Sequence, residues 1–181
     1  MIWPDLHDID CIVFDFDGVF TDNKVYVDQN GVESVCCDRR DGLGVDFLRS
    51  RISGTRLSSA IFILSKERNP VVLARAEKMK LKCVYGIDDK LDYIRTFVSK
   101  NNASDDLSRV IYLGNDLNDL PVVLRVGFSV VPQDAHEQLK SVASVVLPFL
   151  GGQGFVRAFI ERLLGITNLT AEEIDELVYH S

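Results

Sequence analysis

Two aspartates, Asp15 and Asp17, follow the apolar run Cys11-Ile12-Val13-Phe14 within the stretch FDFDGVFTD. Residues two apart in extended chain project to the same side, so both carboxylates can face one ligand. Each is expensive to desolvate without a partner, and like charges so close call for a cation between them. Mg²⁺ suits the pair, because it takes oxygen ligands and usually shares its shell with water and substrate phosphate. With the charge compensated, a carboxylate is free to attack phosphorus, and aspartate is an established covalent nucleophile in phosphoryl transfer. Asp15 is the candidate nucleophile. Asp17 is the candidate acid that protonates the leaving oxygen and then, as a base, activates the water that cleaves the aspartyl-phosphate.

Other apolar runs also end in groups suited to phosphate. Ser65 follows Ile61–Leu64 and precedes Lys66, Glu67 and Arg68; GIDDK delivers Lys90 at the start of a helical segment; GNDLND, Gly114 to Asp119, follows Val110–Leu113. The Ser65 hydroxyl and the Lys90 ammonium would hold the transferring oxygens, since this chemistry is mainly positioning and charge neutralisation. Each group alone has a plainer structural reading. Asp116 or Asn118 could cap a helix, Ser65 a loop, and Lys90 could be an ordinary surface residue. Four such groups in order, each at a strand end, are not what structure alone requires.

The elements that must position them alternate along the chain. Apolar runs predict strands at 9–15, 60–64, 82–86, 109–113, 127–131 and 143–147, and helical periodicity predicts helices at 42–51, 70–80, 89–101, 118–126, 134–141 and 153–164. Asn69-Pro70 makes an N-cap and first-turn pair. The fold class is therefore α/β, a doubly wound parallel sheet covered on both faces, with ligands at the carboxyl ends of its strands. Residues 24–38 fall outside the alternation and predict a β-hairpin around Gln29-Asn30-Gly31. In the tail 167–181, the capping-box spacing Thr170 to Glu173 predicts a short helix at about 170–179, docked on its own chain or on a neighbour. No linker breaks the pattern, so residues 1–181 are expected to form one domain.

A net charge of −7 and a pI near 4.9 argue against nucleic-acid binding. An anionic substrate must then be drawn by a local basic cluster or a metal. The apolar runs are too short to span a bilayer. Met1-Ile2-Trp3-Pro4-Asp5 lacks the basic and apolar regions of a signal peptide. The four cysteines form no CxxC pair, and Cys11 and Cys83 lie in apolar segments as expected of free thiols. A reducing cytoplasm is the expected location.

The ordered set resembles the haloacid dehalogenase (HAD) phosphohydrolase superfamily. Its first motif is matched by Asp15-Phe16-Asp17-Gly18-Val19-Phe20-Thr21, its second by Ser65, its third by Lys90 and its fourth by Gly114 to Asp119. The stretches GVFTDNKVYVDQNG, RRDGLGVDFLRS, LNDLPVVLRVGFSVVPQDAH and GGQGFVRAFI resemble the capless branch. That branch contains 3-deoxy-manno-octulosonate (KDO) 8-phosphate phosphatases, nonulosonate 9-phosphate phosphatases and the phosphatase-like domain of some sialic acid cytidylyltransferases. The resemblance implies a Rossmann-like HAD core with a β-hairpin insertion and no cap domain. It also implies a Mg²⁺-dependent phosphatase acting on a sugar-acid phosphate, and a homotetramer in which neighbouring subunits close each active site.

The resemblance assigns metal binding to Asp15, to Asp17 through its backbone carbonyl, and to either Asn115 or Asp116, with Asp119 standing behind them. Asn115 departs from the pattern, since the superfamily usually has Asp directly after that glycine, and a neutral amide oxygen is the weaker ligand. In the second motif, ILSKERNPVV carries Glu67 where KDO phosphatases tend to carry Arg; with Lys78 this resembles the nonulosonate pattern. A carboxylate accepts from sugar hydroxyl or amide groups, whereas Arg seeks an anion. A nonulosonate 9-phosphate is therefore the favoured substrate and KDO 8-phosphate the next. Arg40, Arg68 and Arg157 are candidates for the substrate carboxylate. The alternative reading is an oligomerisation module, weak or inactive as a catalyst, associated with a sialic acid cytidylyltransferase.

Overall fold

A computed structural model describes residues 3–102 and 105–179 of the chain. The last two residues of the predicted tail, and the first two of the chain, lie outside the described residues. In chain order the elements begin with β1 (Cys11–Phe14), a hairpin of β2 (Tyr26–Val27) and β3 (Glu33–Ser34), then α1 (Arg39–Arg51) and β4 (Ile61–Leu64). They continue with α2 (Val71–Lys78), β5 (Lys82–Val84), α3 (Lys90–Asn102), β6 (Val110–Leu113) and α4 (Leu120–Val123). The remainder comprises β7 (Phe128–Pro132), α5 (Glu137–Val142), β8 (Val145–Leu147), α6 (Phe155–Leu163) and α7 (Ala171–Tyr179).

β1, β4 and β6 are buried at every position, which is why they are unbroken apolar runs with no polar alternation. They form the middle of a six-stranded sheet of order β5-β4-β1-β6-β7-β8, in which every pairing is parallel. The chain moves outward from β1 to β4 and β5, then returns to the far side of β1 at β6. The order therefore reverses beside β1, at the place where open α/β sheets bind ligands. Right-handed crossovers set α1 and α2 on one face and α3, α4 and α5 on the other. α6 returns to pack on α1, and α4 packs against α3 and α5.

The phenylalanines of FDFD anchor the loop that bears the aspartates. Phe14, Phe16 and Phe20 are fully buried, and the Phe14 ring lies 5.5 Å from that of Phe20 and 6.1 Å from that of Phe159 in α6. Burying one such ring contributes about 1.5–3 kcal/mol, so the loop after β1 is held from beneath while Asp15 and Asp17 stay at the rim.

Several predicted elements differ in their bounds from those observed, α5 among them, which starts at Glu137 and not at 134. The hairpin strands are two residues each, with Tyr26 opposite Ser34 and Val27 opposite Glu33; beyond them Thr21 bridges Cys37. A lone two-stranded ribbon with both faces exposed has nothing to lengthen it. α1 begins at Arg39 instead of 42 because the Asp38 carboxylate accepts from the Arg40 N–H at 2.8 Å. The helix predicted at 118–126 is a 3₁₀ turn (Leu117–Asp119) followed by the four-residue α4, since Asp116 and Asp119 form a capping box immediately before Pro121. α7 forms with the expected cap, the Glu173 carboxylate accepting from the Thr170 N–H at 2.7 Å, but buries none of its residues. No described helix is long and apolar enough to cross a membrane. Cys11 is buried, Cys83 half-buried, and all four cysteines are free.

Candidate active site

The carboxyl ends of β1, β4 and β6 open into a crevice of about 740 Å³, lined by Asp15, Asp17, Ser65, Glu67, Arg68, Asn115 and Asp116, with Asn23, Lys66, Asp88, Leu117 and Asn118 completing its rim. Seven of the twelve candidate residues thus meet in one cavity. Lys90 and Asp119 stand behind it, buried.

Asp15 continues the sheet, donating its N–H to the Leu113 carbonyl at 2.8 Å. Its Oδ1 accepts from the Phe16 N–H at 2.7 Å and lies 2.7 Å from Lys90 Nζ. Oδ2 has no partner among the described residues. The cation that the sequence demanded for this acid is therefore partly internal. Lys90 Nζ, at the start of α3, also lies 2.8 Å from Asp119 Oδ1 and 3.3 Å from the Tyr112 hydroxyl. Burial raises the Asp15 carboxyl above its usual range; the neighbouring Asp119 raises it further and Lys90 draws it back. Burial alone would lower the Lys90 ammonium, but the two carboxylates more than offset this, and it is raised.

Asp119 organises the fourth loop from within. Its Oδ2 accepts from the Asn115 N–H at 2.8 Å and from the Asp116 N–H at 3.3 Å; its Oδ1 accepts from the Tyr112 hydroxyl at 2.5 Å. Tyr112 was invisible as a site residue in the sequence. The one signal was a hydroxyl-bearing side chain within an otherwise aliphatic buried strand, where a Tyr oxygen needs a partner. Asp116 uses Oδ1 to accept from the Leu117 N–H at 2.7 Å, which is the helix-capping role, while still lining the crevice. Asn115 lies against the first loop so closely that a Cβ on Gly18 would sit 1.9 Å from its Nδ2, and Gly18 itself has φ +73°. Only glycine accommodates both constraints. The GGQG stretch supports this loop from below, Gly152 donating to the Val19 carbonyl at 3.1 Å.

Asp17 is half-buried and makes no ion pair among the described residues. Burial raises its carboxyl, and the nearby Glu67 charge adds to the shift. Ser65 is buried; its Oγ accepts from the Glu67 N–H at 3.0 Å, which leaves the hydroxyl proton available to donate.

The remaining three candidates lie away from the crevice. Arg40, in the first turn of α1, is tied to the Asp38 carboxylate at 2.5 Å and to the Gln153 carbonyl at 3.0 Å. Arg157 lies over the Phe47 ring at 4.6 Å and pairs with Glu161 at 2.7 Å on α6. Lys78 closes α2.

Among the described residues no three acids, histidines or cysteines converge as a ready metal cluster. The donors that would hold a cation here are the Asp15 carboxylate, the Asp17 backbone carbonyl and either the Asn115 amide oxygen or the Asp116 carboxylate. This all-oxygen set fits Mg²⁺, which keeps several waters of its own.

No family model matches the chain. It is 32% identical over 155 residues to the 3-deoxy-D-manno-octulosonate 8-phosphate phosphatase KdsC of Salmonella typhi, spanning 84% of this chain and 78% of that protein. A HAD family hydrolase of Streptomyces avermitilis superposes with a TM-score of 0.81 at 39% identity, covering 92% of this chain and 97% of that one. The corresponding phosphatase of Moraxella catarrhalis, in complex with magnesium, phosphate and KDO, superposes with a TM-score of 0.76 at 28% identity, over 89% of this chain and 88% of that one.

Proposed function

Because this chain belongs to the HAD phosphatases, in the capless branch of the KDO 8-phosphate phosphatases, and is a phosphoric monoester hydrolase, we propose that it cleaves a sugar-acid phosphate through an aspartyl-phosphate on Asp15. The observation that carries the mechanism is the division of labour within that carboxylate. Lys90 and the Phe16 N–H hold Oδ1, and Oδ2 is left without a partner among the described residues, beside the crevice.

Oδ2 attacks phosphorus and the sugar oxygen leaves. Asp17, whose raised carboxyl retains a proton more readily than a solvated one, gives that proton to the leaving oxygen. The resulting Asp17 carboxylate takes a proton from water, and attack of that water on phosphorus releases phosphate and regenerates Asp15. Ser65 donates its hydroxyl proton to a phosphoryl oxygen. Lys90 neutralises the buried acids behind the reaction. A bound divalent cation, Mg²⁺ by donor chemistry, would be held by the Asp15 carboxylate, the Asp17 backbone carbonyl and Asn115 and would supply neutralisation of the phosphoryl oxygens. Asn115 is better placed than Asp116, which is committed to its cap.

A nonulosonate 9-phosphate is the favoured substrate and KDO 8-phosphate the next, supported by Glu67 in the crevice wall where an arginine would be expected for KDO. Arg68, which lines the crevice and pairs with the exposed Asp88 at 3.5 Å, is the arginine that would exchange that partner for the substrate carboxylate. The chain acts as one domain in the cytoplasm. It assembles as a homotetramer through the hairpin, whose Val25, Tyr26, Val27 and Val32 are all more than half exposed. Asn115 favours the second reading, a catalytically weak oligomerisation module, to the extent that an amide binds cations less firmly than a carboxylate.

Phosphate release from a panel containing both substrates separates these readings. Wild type should release phosphate, whereas Asp15→Asn should be inactive with unchanged fold and assembly. An active Asp15→Asn variant, or background rates throughout the panel, overturns the proposal.

A further inference from the structure

The loop between β7 and α5, Gln133 to His136, touches both halves of the catalytic rim without lining the crevice. At its end the His136 N–H donates to the Asn115 carbonyl at 2.8 Å, on the fourth loop. In its middle Asp134 Oδ1 accepts from the Gly151 N–H at 3.0 Å. At its start the Gln133 N–H donates to the Phe149 carbonyl at 2.9 Å, so the chain leading into GGQG is held at two points. We infer that Asp134 is a positioning residue for phosphoryl transfer, seating the Gly151-Gly152 turn against the first loop so that the Asp17 carbonyl keeps its direction; the inference rests on the phosphatase reading above.

The contact that Asp134 maintains is backbone on backbone. A Cβ on Gly151 would lie 2.1 Å from the Gly18 carbonyl oxygen and 3.1 Å from that of Thr21, and one on Gly152 would lie 2.3 Å from the Thr21 carbonyl carbon. With the Gly152 N–H on the Val19 carbonyl, the turn meets residues 18, 19 and 21 of the first loop. Thr21 is fully buried, and its Oγ1 accepts from the Gly18 N–H at 3.1 Å and from the Asn23 N–H at 3.2 Å. The Gly18 N–H belongs to the same planar peptide unit as the Asp17 carbonyl, so fixing one fixes the other. Asp134 therefore reaches an oxygen that would hold the cation through Gly151, Gly152, Thr21 and Gly18. Glycines have no side chains to anchor the turn, and a hydrogen bond to a carboxylate is about twice as strong as a neutral one. His136 ties Asn115 to the same short loop, so donors on two different strand ends are referenced to one segment.

The test compares wild type, Asp134→Ala and Asp134→Asn in the full chain. Asp134 is exposed, so neither variant removes core packing. In Asp134→Ala the amides of residues 16–22 should exchange hydrogen faster than in wild type. The midpoint of a Mg²⁺ thermal-shift titration should rise about tenfold, as when a group that orients a ligand is lost. At saturating Mg²⁺, kcat on an aryl phosphate should fall about tenfold or more while KM stays within about twofold, because the misplacement is felt in the transition state. Asp134→Asn keeps an oxygen that accepts from the Gly151 N–H and should return all three readouts to near wild type. Unchanged exchange over residues 16–22 in Asp134→Ala overturns the inference, as does an unmoved Mg²⁺ midpoint and kcat, or an Asp134→Asn variant as impaired as Asp134→Ala. A wild type inactive on every phosphate ester overturns the phosphatase reading, whereas hydrogen exchange decides the role of Asp134 in seating the loop without any turnover.

Discussion

Replacing Lys90 by Met removes the ammonium that sits 2.7 Å from Asp15 and 2.8 Å from Asp119 while keeping a side chain of similar length. The Lys90 and Asp15 side chains are 2% and 6% exposed and that of Asp119 is fully buried, so water cannot replace the lost cation. Removing one partner of a buried pair costs about 3–5 kcal/mol, because the remaining charge stays desolvated. For a chain of this size that corresponds to a fall in Tm of about 6–20 °C. The deficit should depend on Asp119. In the double variant Lys90→Met/Asp119→Asn, the amide oxygen still accepts from the Asn115 N–H and the amide NH₂ can donate to the Tyr112 oxygen, so one buried charge is gone at little further loss. Urea unfolding of the wild type, both single variants and the double variant gives the coupling energy, expected at about 1–3 kcal/mol. Additivity within about 0.5 kcal/mol would mean that Lys90 and Asp119 do not share one electrostatic node.

Asp41 on α1 is fully buried; burial pushes its carboxyl up to about 7, although the Arg157 N–H donates to Oδ1 at 2.9 Å, and Oδ2 has no partner among the described residues. A raised carboxyl means that its share of stability is present below the ordinary carboxylate range and is lost as pH rises through about 7. Asp41→Asn, which preserves the acceptor for α6, should therefore stabilise the protein increasingly from pH 4 to pH 8, by at most roughly 4 kcal/mol; a gain independent of pH in urea melts refutes this. Gly18→Ala places a Cβ against Asn115 at a φ of +73°, so phosphate release should fall at least tenfold on every substrate, with a stability loss of about 1–2 kcal/mol; kinetics close to wild type would mean the first and fourth loops do not meet as described. Asn115→Asp restores a charged donor and should shift the midpoint of a Mg²⁺ thermal-shift titration to lower concentration by about tenfold, and an unmoved midpoint would place the cation elsewhere.

Much of the fold was written locally. The six sheet strands were legible as apolar runs, in β1, β4 and β6 because a strand buried on both faces needs no alternation, and α7 was legible from Thr170 and Glu173 because a capping box is a contact three residues long. The predictions that missed were also local in cause. The hairpin is short for want of a third strand, and α4 is short because Asp116 and Asp119 begin a 3₁₀ turn there.

The site divides along the same line. Sequence alone determined that Asp15, Asp17, Ser65 and Asn115 stand at strand ends, since the boundary of an apolar run fixes where a side chain leaves the core. It could not say that Lys90 pairs with both Asp15 and Asp119 or that Tyr112 completes the node. Those facts depend on which strand ends are neighbours and which helix face meets which. Tertiary structure alone decided them, because a buried charge takes whatever partner the sheet order brings within about 3 Å, however far away that partner lies along the chain.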